Sequence, residues 1–293
     1  MLIRQKTLLA LISQANTPLH PTMLAIFAFL FRHETEPGRD LSFYDFVPYK
    51  NGPFSFSLHQ ELNNLRRDGY VIPDEERITL CEQTANLATE KIDKLPNEIK
   101  DAVDTIVKHY IGQSQTELIK DVISRYPWYA TKSELIDLLP KRKADVKKAG
   151  LAVYTAGYEG KSVDAFFNHL LKHGIKQIID VRANPNSRQF GFSKKRFCEI
   201  ANHLGLDYNH FPSLGVPSKH RKSLADFDSY QRLLEKYKKE MLPQLGTEVE
   251  NVGQLMQKTP SVLVCVEKDI RCCHRSRLAD AVSQETGLEV KHL

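Results

Sequence analysis

The sequence contains few of the features that mark membrane or secreted proteins. Across its 293 residues, no apolar run approaches the roughly 20 residues that a membrane-spanning helix needs. The opening segment Met1–Lys6 lacks the apolar region of a signal peptide. The five cysteines are odd in number and unevenly spread, which argues against a disulfide framework and favours a reducing compartment. We therefore expect a cytoplasmic protein that does not contact a membrane.

Patterns for common cofactors are also missing. The segment Gly157–Gly160 has two glycines after an apolar run, but the three-glycine pattern of dinucleotide-binding proteins is absent. No glycine-rich loop leads into Lys followed by Ser or Thr, which argues against nucleoside-triphosphate hydrolysis. Cys265, Cys272, Cys273 and His274 lack the paired spacing of zinc sites. The sequence therefore predicts neither a cofactor nor a metal.

The composition is that of a globular protein with more than one domain. Hydrophobic residues make up 41% and charged residues 26% of a chain that exceeds the usual size of one core. A net charge of +5 is compatible with nucleic-acid binding but is also common among enzymes. A basic run near Pro140 marks a boundary. We predict a first domain over residues 1–140, a basic linker over 141–150 and a second domain over 151–293.

The first domain has the element order of a winged helix-turn-helix. Helical periodicity covers residues 6–15 and 22–32. A third helix begins at Ser57–Gln60, which fits a capping box. The segments 70–72 and 78–80 are predicted to form two short strands around a charged turn. We therefore expect a mostly α-helical domain of this kind.

The polar face of the third helix carries residue types suited to base edges and phosphates. These candidate DNA-binding residues, with the basic run that follows the domain, are His59, Gln60, Asn63, Arg66, Arg67, Lys141, Arg142 and Lys143. An equally good interpretation is a solvated helix face and an exposed linker. The predicted partner is nucleic acid, in particular double-stranded DNA, and the alternative is a protein that binds the same domain.

A sequence motif in this domain resembles a known family. The stretch Phe46–Tyr70, which contains Tyr49-Lys-Asn-Gly-Pro-Phe-Ser55, is similar to the Tyr-x-x-Gly-Pro-Phe-Ser signature of the YwgA and SocA-like, Panacea-type antitoxin domains. The similarity continues in Val122–Ser133. It implies a context of toxin–antitoxin or phage-defence systems rather than a particular chemistry. Tyr49, Gly52 and Pro53 are expected to shape a turn.

The second domain is predicted to be an α/β domain, Rossmann-like, with a mainly parallel sheet and flanking helices. Short apolar runs at 151–155, 177–179 and 261–265 each end at a group of polar residues, and helix-length amphipathic stretches separate them. A further short strand begins at Asp207 and carries His210 at its end. Ligands bind at the carboxyl ends of such strands, so these polar groups are expected to converge on one crevice.

The polar residues of this crevice are the candidate active site. We expect catalytic roles for Asp180, Glu267, His210 and Tyr158. The expected substrate-binding residues are Glu159, Arg182, Ser187, Arg188, Phe190, Phe192, Lys194, Lys268, Cys273, His274 and Arg275. The last three are placed at a helix N-terminus, which attracts anions. The alternative for the two carboxylates is a buried ion pair with Arg182 or Lys268.

The motifs of the second domain resemble those of the domain-of-unknown-function family 488. The matching segments span nearly all of residues 152–293 and are Gly157–Gly160, Ile179–Arg182, Pro185–Arg188, Gly191–Ser193, Leu214-Gly215, Cys265–Lys268 and Cys273–Arg275. The resemblance implies a Rossmann-like sheet with a polar pocket. It implies no defined reaction.

Two carboxylates with aromatic and cationic neighbours suit hydrolysis of an N-glycosidic bond. A carboxylate stabilises the oxocarbenium character of the sugar, while a second group activates water or protonates the departing base. Beside a DNA-reading domain, this chemistry becomes base excision, for example of modified bases in phage DNA. The alternatives are a nucleotide-sensing, DNA-binding regulator and a nuclease. The identity of the base and the choice between DNA and RNA are left open.

Overall fold

The computed structural model of the protein describes residues 1–40, 42–72, 74, 76–135, 146–217, 220 and 226–293. The chain divides into two compact units, Met1–Asp145 and Val146–Leu293. None of the helices in the described residues is long and apolar enough to cross a membrane. The basic run of Lys141, Arg142 and Lys143 lies outside the described residues.

The first unit is rich in helices. Its helices are α1 (Ile3–Ala15), α2 (Pro21–Glu34), α3 (Phe56–Arg67), α4 (Ala85–Asp93), α5 (Asn97–Tyr110) and α6 (Gln115–Arg125). Every residue of α2 from Met23 to Phe31 is buried. A helix that is apolar on all sides must be surrounded by other elements, so α2 is the centre of this unit's core.

The Tyr-x-x-Gly-Pro-Phe-Ser motif forms a small antiparallel hairpin of β1 (Val47–Tyr49) and β2 (Gly52–Phe54). Gly52 has a φ of +104°, a conformation that favours glycine. The expectation that this segment shapes a turn is therefore confirmed. The next helix is capped by Ser55, whose side chain accepts a hydrogen bond from the Leu58 amide at 3.1 Å. The predicted cap at Ser57 is wrong, because that residue already lies in the first turn of α3.

The two strands predicted for the wing are replaced by isolated antiparallel bridges in the described residues between 70 and 80. Val71 pairs with Leu80, and Ile78 pairs with Leu19 in the first part of the chain. The helix-rich character of the first unit is confirmed. The winged helix stays a prediction.

The second unit is a five-stranded parallel sheet flanked by helices, which confirms the predicted α/β class. Its strands are β3 (Val153–Gly157), β4 (Gln177–Asp180), β5 (Asp207–His210), β6 (Ser261–Cys265) and β7 (Val290–His292), in the order β5-β4-β6-β3-β7. Its helices are α7 (Val163–Lys172), α8 (Lys194–His203), α9 (Phe227–Lys236), α10 (Gly246–Lys258) and α11 (Arg275–Thr286). Every residue of the three central strands is buried, as is typical of strands covered on both faces.

The connections of this sheet create a switch point between β3 and β6. The chain passes from β3 through α7 to β4 in one direction along the sheet, and from β6 through α11 to β7 in the other. Because such crossovers are right-handed, the two helices lie on opposite faces of the sheet. The carboxyl ends of β3 and β6 therefore border a crevice, the usual ligand site of an open α/β sheet.

One histidine of α7 gives the second unit a predicted sensitivity to acid. The Nε2 atom of His169 is buried and is one of the described side-chain atoms that lack a hydrogen-bond partner. Burial, followed by the nearby charges of His173, Lys161 and Lys172, lowers the pKa of His169 to about 4. The unfolded chain binds this proton near pH 6.5, so the His169 contribution to stability is complete above that pH and is lost as pH falls toward 4.

We expect the free energy of unfolding to fall less steeply between pH 6.5 and pH 4 in a His169→Gln variant than in the wild type, since the variant has no imidazole to protonate. Urea titrations of both proteins across this range, with pH 7.5 as the reference, measure the difference. Equal slopes in the two proteins would contradict the assignment.

Candidate active site

Asp180 and Arg182 form a buried ion pair at the end of β4. The Arg182 Nε and Nη2 atoms donate to the two Asp180 carboxylate oxygens at 2.8 and 2.6 Å. Asp180 also accepts hydrogen bonds from the Tyr208 hydroxyl at 2.7 Å and from the Arg182 amide at 3.1 Å. The exposed fraction is 0% for Asp180 and 2% for Arg182. Both carboxylate oxygens are thus occupied by partners within the protein.

The guanidinium of Arg182 also organises an aromatic cluster. Its Nη1 atom donates to the Phe192 carbonyl at 2.7 Å and to the Tyr158 hydroxyl oxygen at 3.0 Å. The Tyr158 and Phe192 rings are stacked, with centroids 4.0 Å apart. Burial raises the pKa of Tyr158, so its hydroxyl stays protonated. These two side chains are buried and stacked on each other, and Phe192 therefore presents no ring face to a base.

Glu267 has a different environment, two residues beyond the end of β6. Its Oε2 atom accepts hydrogen bonds from the Cys265 and Cys273 thiols, both at 3.1 Å. Burial raises the pKa of Glu267, but its own backbone N–H, the two thiols and His274 outweigh this effect and leave the pKa below its usual range. Within the described part of the chain, the carboxylate has no Lys or Arg partner. Glu267 is therefore a partly buried carboxylate that interacts electrostatically with His274 and forms no ion pair with a lysine or arginine among the described residues.

The start of α11 positions the loop that carries Glu267. The Arg275 guanidinium donates to the Glu267 carbonyl and, at 3.3 Å, to the Lys268 carbonyl. On the other side, the loop lies directly against Gly157 at the end of β3. A Cβ atom at that position would be 2.0 Å from the Glu267 carbonyl oxygen. Glycine is therefore required at position 157, because the Glu267 backbone lies too close for any side chain there. This contact places Glu267 at the switch point of the sheet.

Three cations surround this point. The Lys161 Nζ atom donates to the Gly157 carbonyl at 3.0 Å. Burial, together with the positive charges of Lys268 and Arg275, lowers the pKa of Lys161. Lys268 is exposed, and its backbone N–H donates to the Glu159 carboxylate at 2.9 Å. These three cations are thus close enough for their positive charges to repel one another. Lys161 was not predicted as a site residue, because a single lysine before a helix cap is indistinguishable from a solvated one.

His274 precedes α11 and is buried. Its Nε2 atom lies 3.1 Å from the Val181 carbonyl, and its Nδ1 atom lies 3.8 Å from the Cys265 sulfur. The exposed fraction is 5% for His274 and 2% for Arg275. Their side chains thus contact the protein interior, although they lie at the predicted helix N-terminus.

The remaining predicted residues lie further from Glu267 along the sheet edge. The His210 Nε2 atom donates to the Arg182 carbonyl at 2.9 Å. His210 ends β5, which β4 separates from β6, so the two strand axes are roughly 10 Å apart. In the loop after β4, Ser187 accepts a hydrogen bond from the Gln189 amide at 3.1 Å. Among the other residues that the sequence assigns to substrate, Arg188 in this loop and Lys194 at the start of α8 are exposed. Phe190 is half-buried under the Arg196 guanidinium.

The candidate DNA-binding residues that the structure describes lie on α3. His59, Asn63 and Arg67 are exposed and are spaced four residues apart, so they form one stripe along the helix. Gln60 and Arg66 are half-buried. The Arg66 guanidinium donates to the Asp74 carbonyl at 2.7 Å and is partly used within the unit.

Comparison with known proteins bears on the second unit. Residues 162–282 match the model of a family described as domain of unknown function DUF488. This match supports the resemblance seen in the motifs of the second domain. No curated protein and no solved structure matches the chain. The resemblance of the first unit to antitoxin domains stays a prediction.

Proposed function

We propose that this protein hydrolyses the N-glycosidic bond of a nucleotide in DNA, with Glu267 as the carboxylate that acts on the sugar. The observation that carries the proposal is the position of Glu267 at the switch point, where its carboxylate accepts from two thiols and forms no ion pair with a lysine or arginine among the described residues. Asp180, the other candidate, has both oxygens occupied by Arg182 and Tyr208. It therefore serves better as a positioning residue.

The arrangement suits a reaction through an oxocarbenium-like transition state. Water attacks C1′ of the sugar, the bond from C1′ to the base nitrogen breaks with its electron pair passing to the base, and the base takes up the proton that the water loses. The negative charge of Glu267 stabilises the positive charge that develops on the sugar. Lys161 and Lys268 hold the phosphate next to the target nucleotide, so that the sugar is placed against the carboxylate.

Incubation of the full-length protein with ordinary and base-modified duplex DNA tests this function. Excision releases a free base, measured by mass spectrometry, and leaves sites that alkali cleaves. Metal-dependent nicks without free base would show a nuclease. Retarded DNA with neither product, across all substrates, would contradict the proposal and support a regulator.

A nucleotide-sensing, DNA-binding regulator is the second candidate, and the exposed stripe of α3 favours it. A regulator needs a DNA-reading surface, and His59, Asn63 and Arg67 offer donors and acceptors for bases and phosphates on one helix face. In that case, the cations around Glu267 would bind the phosphate of a free nucleotide, and no bond would be broken.

We expect Arg67→Gln to weaken DNA binding and to reduce the slope of log K against log salt by about one unit, because one phosphate contact is lost. Lys108→Gln is the control. Lys108 is similarly exposed but lies on α5, outside the stripe. Fluorescence anisotropy at several salt concentrations measures both slopes. An unchanged slope for Arg67→Gln would favour a protein-binding role for this unit.

A further inference from the structure

Two cysteines and a histidine come together beneath Glu267. The sulfur atoms of Cys265 and Cys273 and a ring nitrogen of His274 all lie within 4.8 Å of one another. The exposed fraction is 1% for each cysteine and 5% for the histidine. Cys265 ends the central strand β6, and the other two residues directly precede α11. The group is therefore held by regular elements and is closed to solvent.

We propose that Cys265, Cys273, His274 and Glu267 bind one Zn²⁺ ion. Two thiolates with an imidazole are donors that select zinc over magnesium or calcium, and a carboxylate is an accepted fourth ligand. A site with four protein ligands and almost no exposure has the character of a structural zinc site. This inference goes beyond the proposed function and does not depend on it.

The donor atoms of Cys265 and His274 are spaced as they are around a tetrahedral zinc ion. Zinc bonds of about 2.3 Å to sulfur and about 2.0 Å to nitrogen place neighbouring ligand atoms about 3.5–3.8 Å apart. The Cys265 sulfur and the His274 Nδ1 atom are 3.8 Å apart. The Glu267 Oε2 atom is 3.1 Å from each sulfur, but Glu267 is not part of the group whose donor atoms all lie within 4.8 Å of one another. Its carboxylate must therefore turn toward His274 to complete the tetrahedron when zinc binds.

The orientation of the His274 ring is a second, independent observation that supports a metal site. Its Nε2 atom lies 3.1 Å from the Val181 carbonyl, which can only accept, so Nε2 carries the proton. In the neutral ring, Nδ1 then carries the lone pair, and this atom lies 3.8 Å from the Cys265 sulfur. Metal-binding histidines are typically held in this way, with the other ring nitrogen donating to a backbone carbonyl. When zinc binds, each thiol loses its proton to solvent and becomes a thiolate ligand.

The zinc site and the glycosidic chemistry use the same carboxylate. A Glu267 side chain bound to zinc cannot also stabilise a sugar cation. If both proposals hold, base release belongs to the metal-free protein, and zinc suppresses it. Binding is measured without any activity, so the two proposals can fail separately.

The test uses the full-length protein, freed of metal with a chelator and equilibrated with zinc chloride or cobalt chloride. After desalting, we expect one zinc per chain by elemental mass spectrometry. The Co²⁺ form should show a near-ultraviolet thiolate-to-metal charge-transfer band. Zinc that is removed from the wild type by desalting, or a Co²⁺ spectrum without this band, would overturn the proposal.

Variants then identify the ligands. Cys273→Ser should lose half of the charge-transfer intensity, because one of two thiolate bonds is gone. Cys272→Ser, the adjacent residue whose sulfur is outside the group of three, should keep the full intensity. Equal spectra for these two variants would contradict the assignment.

A measurement on the wild type avoids variants that do not fold. Under mild denaturation, zinc should protect Cys265 and Cys273 from alkylation and leave Cys81 and Cys198 reactive, as determined by peptide mass spectrometry. It should also raise the melting temperature, since it binds the folded state. Equal alkylation of all four thiols with and without zinc would refute the site.

Discussion

We expect the replacement of Glu267 by glutamine to lower the rate of the proposed base release by about 10²–10⁴-fold, the range typical of a lost catalytic carboxylate. Glutamine has nearly the same shape and can still accept a hydrogen bond from the Cys265 or Cys273 thiol. It cannot supply the negative charge that stabilises the sugar cation. The change therefore removes the charge and leaves the packing in place. Single-turnover release of free base from duplex DNA measures the effect.

The control for this variant is Glu159→Gln. Glu159 follows the neighbouring strand β3 and accepts a hydrogen bond from the Lys268 amide, but it is exposed. Its replacement should change the rate only a few-fold and mainly through the substrate concentration needed. A folded Glu267→Gln protein with the wild-type rate would exclude Glu267 from the chemistry. Equal losses in both variants would assign the effect to the shape of the loop.

We expect the replacement of Asp180 by asparagine to destabilise the second unit by about 3–5 kcal/mol, because it leaves the Arg182 charge buried without a charged partner. The chain contains a matched control, since Asp269 and Arg271 have the same spacing and a similar two-point contact at 2.7 Å. That pair is exposed, with 42% of Asp269 and 73% of Arg271 accessible. Asp269→Asn should leave the stability unchanged within error, because water replaces the lost contact.

Urea unfolding of the two variants and the wild type measures this difference. Both replacements remove one carboxylate charge from an Asp-x-Arg pair, so they differ chiefly in burial. Asp180→Asn with the stability of Asp269→Asn would contradict a structural role and would return Asp180 to the catalytic candidates. The double replacement Asp180→Leu with Arg182→Met should recover part of the loss, since no unpaired charge remains.

The sequence predicts those parts of the second unit that depend on local pattern. The apolar run 261–265 coincides with β6, and His210 ends β5 as expected. These predictions succeed because buried parallel strands appear as short β-branched runs. The strand β7 (Val290–His292) was not predicted. Two of its three residues are exposed, so it has no apolar pattern and is defined only by its pairing with β3.

The sequence identifies the polar residues that follow the strands but not the contacts between them. Side chains two residues apart along a strand share a face, so Asp180 and Arg182 could be foreseen as a pair but not distinguished from two free groups. Cys265 and Cys273 are separated by a strand end, a loop and a short 3₁₀ helix. Their spacing matches no zinc motif because the fold, rather than a compact loop, brings the sulfur atoms together.

The contact of Gly157 with the Glu267 carbonyl links two segments that are more than a hundred residues apart in the chain. A chimera that carries residues 261–293 of this protein on the sheet of another protein would include Glu267 and the thiols of Cys265 and Cys273. The position of the Glu267 loop would still depend on the residue that the other protein has in place of Gly157, because even a methyl group there displaces the loop. Recombination or design that preserves this centre must therefore transfer residues 153–161 and 261–277 together, as one module split across the sequence.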